Sequence, residues 1–180
     1  QSEGASGNKF VKYWVHNGFI TIDKEKMSKS LGNFFTIREV LDRFDPEVVR
    51  FFLLSTHYRS PIEFSDLLLQ EAEASIDKYY TTIMRIQDFV EKKTDGKEAL
   101  SKAGELFSAL LSSFFIGNFQ EAMDDDFNTA LAIGHIFELV RELNRFLDSK
   151  PSSLKDRQLV LAAQERLAEE GEIFHLFGRT

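Results

Sequence analysis

Hydrophobic positions change period about a fifth of the way along the chain. Between Val11 and Asp23 apolar and β-forming residues are nearly continuous. Asn17-Gly18 lies in their middle, a pair that tolerates the positive φ of a type I′ turn, so the stretch predicts two short strands in a hairpin. The competing pattern is a helical end at Phe10 to Trp14 followed by one strand at Phe19 to Asp23. From Thr36 the pattern is helical. Thr36 with Glu39 makes a capping box, and Asp45-Pro46 places a cap before a proline at the first helical position. Helices are expected over Ile37 to Phe44 and Pro46 to Ser55, interrupted at His57-Tyr58-Arg59-Ser60-Pro61 because proline keeps Ser60 out of the helical region. Ser65 opens a long helix whose seam, Leu69, Ala72, Ile76, Tyr79, Ile83, Ile86 and Val90, alternates steps of three and four.

After a polar break at Lys92 to Glu98 comes a helix with Leu100, Ala103, Phe107, Leu110, Leu111 and Phe114. Past Met123 to Thr129 another carries Ile133, Ile136, Phe137, Val140, Leu143 and Leu147, and a last one runs from about Leu154 to Glu170. The pattern predicts a mainly α chain: a short β segment, connective helices and an antiparallel bundle of four helices joined by polar loops.

Composition narrows the function classes. The 180 residues are 43% apolar and 28% charged, without a run long enough to span a membrane or a secretory start, and the absence of Cys excludes disulfides, thiolate catalysis and Cys-ligated metals. A cytoplasmic location is the expectation. The formal charge of −7 argues against a nucleic-acid binder held by a bulk positive field. Residues 1 to 40 carry six Lys or Arg against four Asp or Glu, a balance of +2, which leaves −9 on the remaining 140. An anionic ligand is therefore expected at the N-terminal segment. The chain opens at Gln1 without Met, and reads as a piece of something longer.

The chemistry concentrates at Lys26-Met27-Ser28-Lys29-Ser30, followed by Leu31-Gly32-Asn33. Two ammonium groups three residues apart, interleaved with hydroxyls and followed by glycine, suit a multiply charged oxyanion such as a polyphosphate. A solvated Lys/Ser loop fits the same spacing. No Gly-x-x-x-x-Gly precedes the lysine, so this is not a P-loop. Asp124, Asp126 and Asn128 match the first ligand positions of an EF-hand, but Thr129 stands where glycine is needed and His135 where a bidentate Glu belongs. Helix capping by Asp126 or Asn128 is expected instead. His16, His57, His135 and His175 lack ligand spacing. Arg59, beside Tyr58 and His57, could touch RNA phosphate or stack on a base, or be a buried arginine paired with an acidic neighbour; the buried pair is the stronger reading.

Lys26 to Ser30 is, letter for letter, the KMSKS signature of class I aminoacyl-tRNA synthetases. With Tyr13 to Gly18, Lys26 to Phe35, Asp45 to Leu54, His57 to Pro61 and Met123 to Thr129, the chain resembles the cysteinyl-tRNA synthetases across most of residues 8 to 148. The resemblance implies activation of cysteine by ATP, with Mg2+, to cysteinyl-adenylate, then transfer to tRNA(Cys) by a parent enzyme that is monomeric. It assigns ATP binding to Lys26, Met27, Ser28, Lys29 and Ser30. Lys29 would stabilise the leaving pyrophosphate, Lys26 would assist, and Arg59 would be a tRNA contact. It implies three parts: residues 1–35 as the tail of the nucleotide-binding domain with its KMSKS loop, 36–64 as a connective stem-contact region, and 65–180 as a DALR-like bundle beside the tRNA. The family's HIGH signature and zinc ligands belong upstream; Ile133-Gly134-His135 lacks the first His, and no zinc is expected in this chain, which alone should be inactive. Two other readings stay open: a non-catalytic helical tRNA-binding module, and the related ligase joining cysteine to an amino-sugar in mycothiol synthesis.

Overall fold

A computed structural model describes residues 1–22, 25–28, 30, 35–112 and 117–178. The elements in chain order are α1 (Ser2–Ser6), β1 (Ile20–Ile22), β2 (Glu25–Lys26), α2 (Ile37–Leu41), α3 (Pro46–Leu54), β3 (Ile62–Glu63), α4 (Asp66–Glu91), α5 (Lys102–Leu110), α6 (Asn118–Asp124), α7 (Thr129–Asp148) and α8 (Leu154–Ile173). The mainly α expectation holds, with one small sheet in the order β2-β1-β3.

The sheet corrects the local hairpin reading. Asn17-Gly18 makes no turn, residues 13–19 have no regular structure, and the helix weighed at Phe10 to Trp14 is absent; of that competing pattern only the strand survives, as β1. Glycine at position 18 serves a close approach: a Cβ there would lie 2.2 Å from the Ser60 carbonyl oxygen and 2.8 Å from the Pro61 nitrogen. The Gly18 N–H donates to the Tyr58 carbonyl at 2.7 Å, and Phe19 accepts from Ile62 N–H at 2.8 Å. Chain forty residues downstream thus pairs with this segment, which no local turn signal could report. β1 runs parallel to β3 with Ile20 opposite Ile62, and antiparallel to β2 with Thr21 opposite Lys26.

Caps were legible. Thr36 accepts from Glu39 N–H while the Glu39 carboxylate accepts from Thr36 N–H at 2.6 Å; Asp45 accepts from Glu47 N–H at 2.8 Å with Pro46 at the first helical position; Ser65 opens α4 by accepting from Leu68 N–H. In α4, Leu69, Ala72, Ile76, Tyr79 and Ile86 are buried as expected. The seam departs from expectation after Tyr79, because the fully buried residue is Thr82, with Ile83 only partly covered. The Thr82 hydroxyl donates to the Lys78 carbonyl at 3.0 Å and accepts from Asn144 Nδ2 of α7 at 2.7 Å, so its burial costs no unmet hydrogen bond.

The bundle has five helices instead of four, because α6 precedes α7 and packs closely on it, burying Phe119 and Ala122. At the other end, the fully buried Asp156 serves two helix N-termini. One carboxylate oxygen accepts from the backbone N–H and the hydroxyl of Ser101, the N-cap of α5, at 3.1 and 3.0 Å; the other accepts from the N–H of Ser153, the N-cap of α8, at 3.3 Å. Gly104 makes room, since a Cβ there would sit 2.2 Å from that carboxylate. The tail after α8 folds back so that Phe177 stacks on Tyr79 at 3.8 Å and lies edge-on to Phe137 at 6.2 Å.

Two stability outcomes follow from this packing. Ile76→Ala, at a position 1% exposed, should cost about 2–5 kcal/mol in denaturant unfolding, and Ile83→Ala clearly less. Asp156→Ala should cost about 2–4 kcal/mol, because it strips the carboxylate from two caps and leaves buried donors unmet; an unchanged denaturation midpoint would contradict the shared-cap role.

Candidate functional site

The Lys26–Ser30 motif begins on the edge strand of the sheet. Lys26 stands on β2 opposite Thr21, and Met27 N–H donates to the Ile20 carbonyl at 3.1 Å, the last rung before the chain leaves β1. Ser28 and Ser30 lie with their hydroxyls 3.1 Å apart. Lys29 lies outside the described residues, as does the Lys26 side chain. The described geometry therefore fixes the entry to the motif and the placement of two of its hydroxyls. Among the described residues, no group of three or more His, Cys, Asp or Glu side chains is placed to hold a metal ion, and no helix is long and apolar enough to cross a membrane.

What holds this small sheet is the segment His57–Pro61. Its backbone receives Gly18, and β3 follows directly, with Phe64 N–H donating to the Thr21 carbonyl at 2.8 Å. Thr21 Oγ1 in turn donates to the Glu63 carboxylate at 2.5 Å. Phe64 anchors the strand against α3 through Phe52, with ring centroids 5.9 Å apart, and Phe35 packs on it at 4.2 Å.

On its other side the same segment meets the bundle. Asp126 accepts from Tyr58 Oη at 2.7 Å and from Arg59 Nε and Nη2 at 2.5 and 2.9 Å, with His57 Nε2 3.9 Å away. The guanidinium also lies 5.1 Å from the Tyr58 ring centre, and the His57 and Tyr58 rings stack. The acidic-neighbour reading of Arg59 holds, although the pair is exposed and not buried. The Asp126 carboxylate is aimed by an unusual turn: Asp126 and Phe127 both have φ near +55°, a region that side chains other than Asn, Asp and Gly seldom adopt. Such strain costs on the order of 1–3 kcal/mol per residue and persists where surroundings enforce it. Here Asn128 caps α7 by accepting from Leu131 N–H at 3.1 Å, and the Thr129 hydroxyl donates to the Leu54 carbonyl at the end of α3 at 2.7 Å. Asn128 is the cap, then, and Asp126 is not.

Two matches to known proteins bear on this geometry. The family model "tRNA synthetases class I (C) catalytic domain" matches residues 1–74, and the model "DALR domain" matches residues 118–178. Cysteine–tRNA ligase of Thermodesulfovibrio yellowstonii is 49% identical over 179 residues, covering 99% of this chain and 36% of that protein. Its counterpart in Geotalea uraniireducens is 55% identical over 168 residues, covering 91% of this chain and 33% of that protein. The chain belongs to the cysteine–tRNA ligase family of class I synthetases. It spans about a third of the length of these relatives and corresponds to their C-terminal part. The fold also matches a solved ternary LeuRS–tRNA–LeuAMS complex from Agrobacterium radiobacter K84, with a TM-score of 0.67 at 21% identity, covering 91% of this chain and 22% of that one. That likeness speaks for the fold. Within the family's pattern, Met123 to Thr129 supplies the turn that grips Arg59. Sequence reading raised an acidic partner for Arg59 and missed which one it was.

The grip has a pH signature. Hydrogen bonds from Arg59 and then Tyr58 hold the Asp126 carboxyl well below the ordinary carboxylate range, and the bond to Asp126 pushes the Tyr58 hydroxyl up. With the folded pKa of Asp126 depressed, its contribution to stability is present above the unfolded value of about 3.9 and is lost as pH falls toward the folded one. Tyr58, with its folded pKa raised, contributes below about 10 and loses that contribution as pH rises through the folded value. Glu39 and Asp95 are also lowered, by hydrogen bonds from the Thr36 N–H and from the Lys97 N–H respectively, and share the sign of Asp126. Because the pair is exposed, the direct readout is the titration itself: followed by carboxyl NMR in the 180-residue chain, Asp126 should titrate below the ordinary carboxylate range, and Arg59→Ala should raise it; an ordinary value in the parent chain would contradict the grip.

Proposed function

We propose that this chain is the part of a cysteine–tRNA ligase that brings the KMSKS loop to ATP and the helical bundle to tRNA, in an enzyme that activates cysteine as cysteinyl-adenylate and transfers it to tRNA(Cys). The single observation that carries the reading is the Lys26–Ser30 sequence leaving the edge of a sheet that is itself tied to the bundle. Residues 1–35 then complete the nucleotide-binding domain, 36–64 are the connective stem-contact region, and 65–180 are the tRNA-side bundle.

In this reading Lys29 stabilises the leaving pyrophosphate, with Lys26 assisting, Ser28 and Ser30 at the phosphates, and the backbone near Ile22 and Met27 beside the adenine. Attack of the cysteine carboxylate on the α-phosphorus forms the mixed anhydride and breaks the bond to the β-phosphate, so negative charge accumulates on pyrophosphate as it departs. A positioned ammonium stabilises that charge more in the transition state than in the ground state. Mg2+ enters with ATP as part of the substrate. Arg59 is already held by Asp126 through two of its nitrogens, so its contact with tRNA is secondary to that grip.

Two assays test this reading. The purified 180-residue chain should give no cysteine-dependent ATP–pyrophosphate exchange, and exchange above background would count against the division of labour. In the intact ligase, Lys29→Ala should slow single-turnover adenylate formation about 10²- to 10³-fold, with cysteine affinity unchanged and Lys26→Ala milder in the same direction. An unchanged rate for Lys29→Ala would remove this loop from the leaving group.

A further inference from the structure

We propose that Asp126 is a positioning residue for the nucleotide loop: its grip on Tyr58 and Arg59 sets the register of the sheet from which the Lys26–Ser30 motif departs. The inference rests on the reading of that motif as the ATP-phosphate loop.

The sheet cannot position itself. Its strands are three, two and two residues long, well short of what an independent sheet needs. Within this chain, β3 is where the connective helices and the bundle reach the sheet. Two anchors act there. The rings of Phe35, Phe64 and Phe52, one pair tilted and the other edge-on, set how far β3 stands from α3, but such contacts constrain sliding along the strand less than hydrogen bonds do. Asp126 supplies what they lack, three directed hydrogen bonds from adjacent residues, Tyr58 and Arg59, onto one carboxylate.

From there the connection is continuous and short. The Tyr58 carbonyl accepts from Gly18 N–H, the Ser60–Pro61 backbone lies against the bare Cα of Gly18, and β1 begins two residues later. The Ile20 carbonyl then accepts from Met27 N–H, inside the motif. A displacement of residues 57–61 is thus transmitted to Met27 through backbone contacts alone.

Two further observations separate positioning from stability. The pair is exposed, with the Arg59 and Asp126 side chains at 59% and 42% of full accessibility, and exposed ion pairs contribute little to folding. Yet the bundle holds Asp126 and Phe127 in left-handed backbone to present the carboxylate, and strained backbone of this kind clusters where geometry is functional. Small misplacements of a reacting group can cost large factors in rate.

The test uses the intact ligase and the variants Asp126→Ala, Asp126→Asn, Arg59→Ala and Asp126→Ala with Arg59→Ala. Single-turnover adenylate formation at saturating ATP and cysteine should fall about tenfold in Asp126→Ala, with cysteine Kd within twofold of the parent enzyme and the thermal midpoint little changed. Asp126→Asn, which keeps an acceptor, should lie between. The double variant should be no slower than Asp126→Ala, since the two residues act as one unit. In the 180-residue chain, Asp126→Ala should speed amide exchange at Gly18, Met27, Ile62 and Phe64 while leaving the centres of α4 and α7 protected. A parental adenylation rate in Asp126→Ala, multiplicative losses in the double variant, or unchanged exchange at those four amides would overturn the inference. Absence of cysteinyl-adenylate from the parent ligase itself would instead sink the functional reading, and the exchange measurement would still decide whether Asp126 governs the sheet.

Discussion

A sheet of seven residues in three strands has too little of its own hydrogen bonding and apolar surface to hold a fixed place in water. Everything about the N-terminal third is arranged around that deficit. Gly18 brings its backbone against Ser60 and Pro61 where any side chain would clash, Thr21 ties its hydroxyl to Glu63, and Phe64 inserts between Phe35 and Phe52. The first two join residues about forty apart, and the rings link the strand to α3 and to Phe35 just ahead of α2. The sheet is therefore a dependent structure, and the segment His57–Pro61, pinned by Asp126, is what it depends on.

The bundle is built differently, because long helices can satisfy their backbone internally and need outside help only at their ends and along one stripe. Asp156 serves the starts of α5 and α8 together, so the two helices cannot shift separately without leaving buried donors unmet. Between α4 and α7, Asn144 donates to Thr82 and accepts from Arg85, whose other nitrogen pairs with Asp148. An apolar seam alone would permit the helices to slide by a turn. These directed bonds select one register, which matters for a scaffold whose Asp126 must reach a fixed point on another part of the chain.

What could be read from sequence follows the range of the interaction. Caps at Thr36, Asp45 and Ser65, the proline break at Pro61 and the α4 seam up to Tyr79 are local, and periodicity and side-chain chemistry expose them. The hairpin at Asn17-Gly18 failed because glycine there answers a contact with Ser60, forty-two positions away, while a turn dipeptide looks the same from within its own window. Thr82 was passed over for Ile83 because hydroxyl burial is paid for by Asn144, which no α4 pattern reveals. α6 was missed because seven residues, about two turns, carry too few apolar repeats to register. The Lys26–Ser30 motif stood out since its chemistry is in the residue types themselves, whereas the partner of Arg59 is a property of the folded turn at Asp126.

The same distinction bears on how a chain of charge −7 can serve polyanionic partners. Several bundle arginines are already engaged: Arg141 and Arg145 with Glu138 and Glu142, Arg85 with Asp148, Arg166 with Glu170. Their fields are largely cancelled at the range where a phosphate backbone would feel them, within a Debye length of about 8–10 Å. On the proposed reading, a partner RNA would meet shape and a few directed contacts on the bundle, not a general attraction. Around the Lys26–Ser30 motif the balance reverses, since the first forty residues are net positive. Net charge describes association from a distance; at the loop, the sign that matters is set by two lysines three positions apart, Lys26 and Lys29, in a sequence that follows directly on β1 and β2.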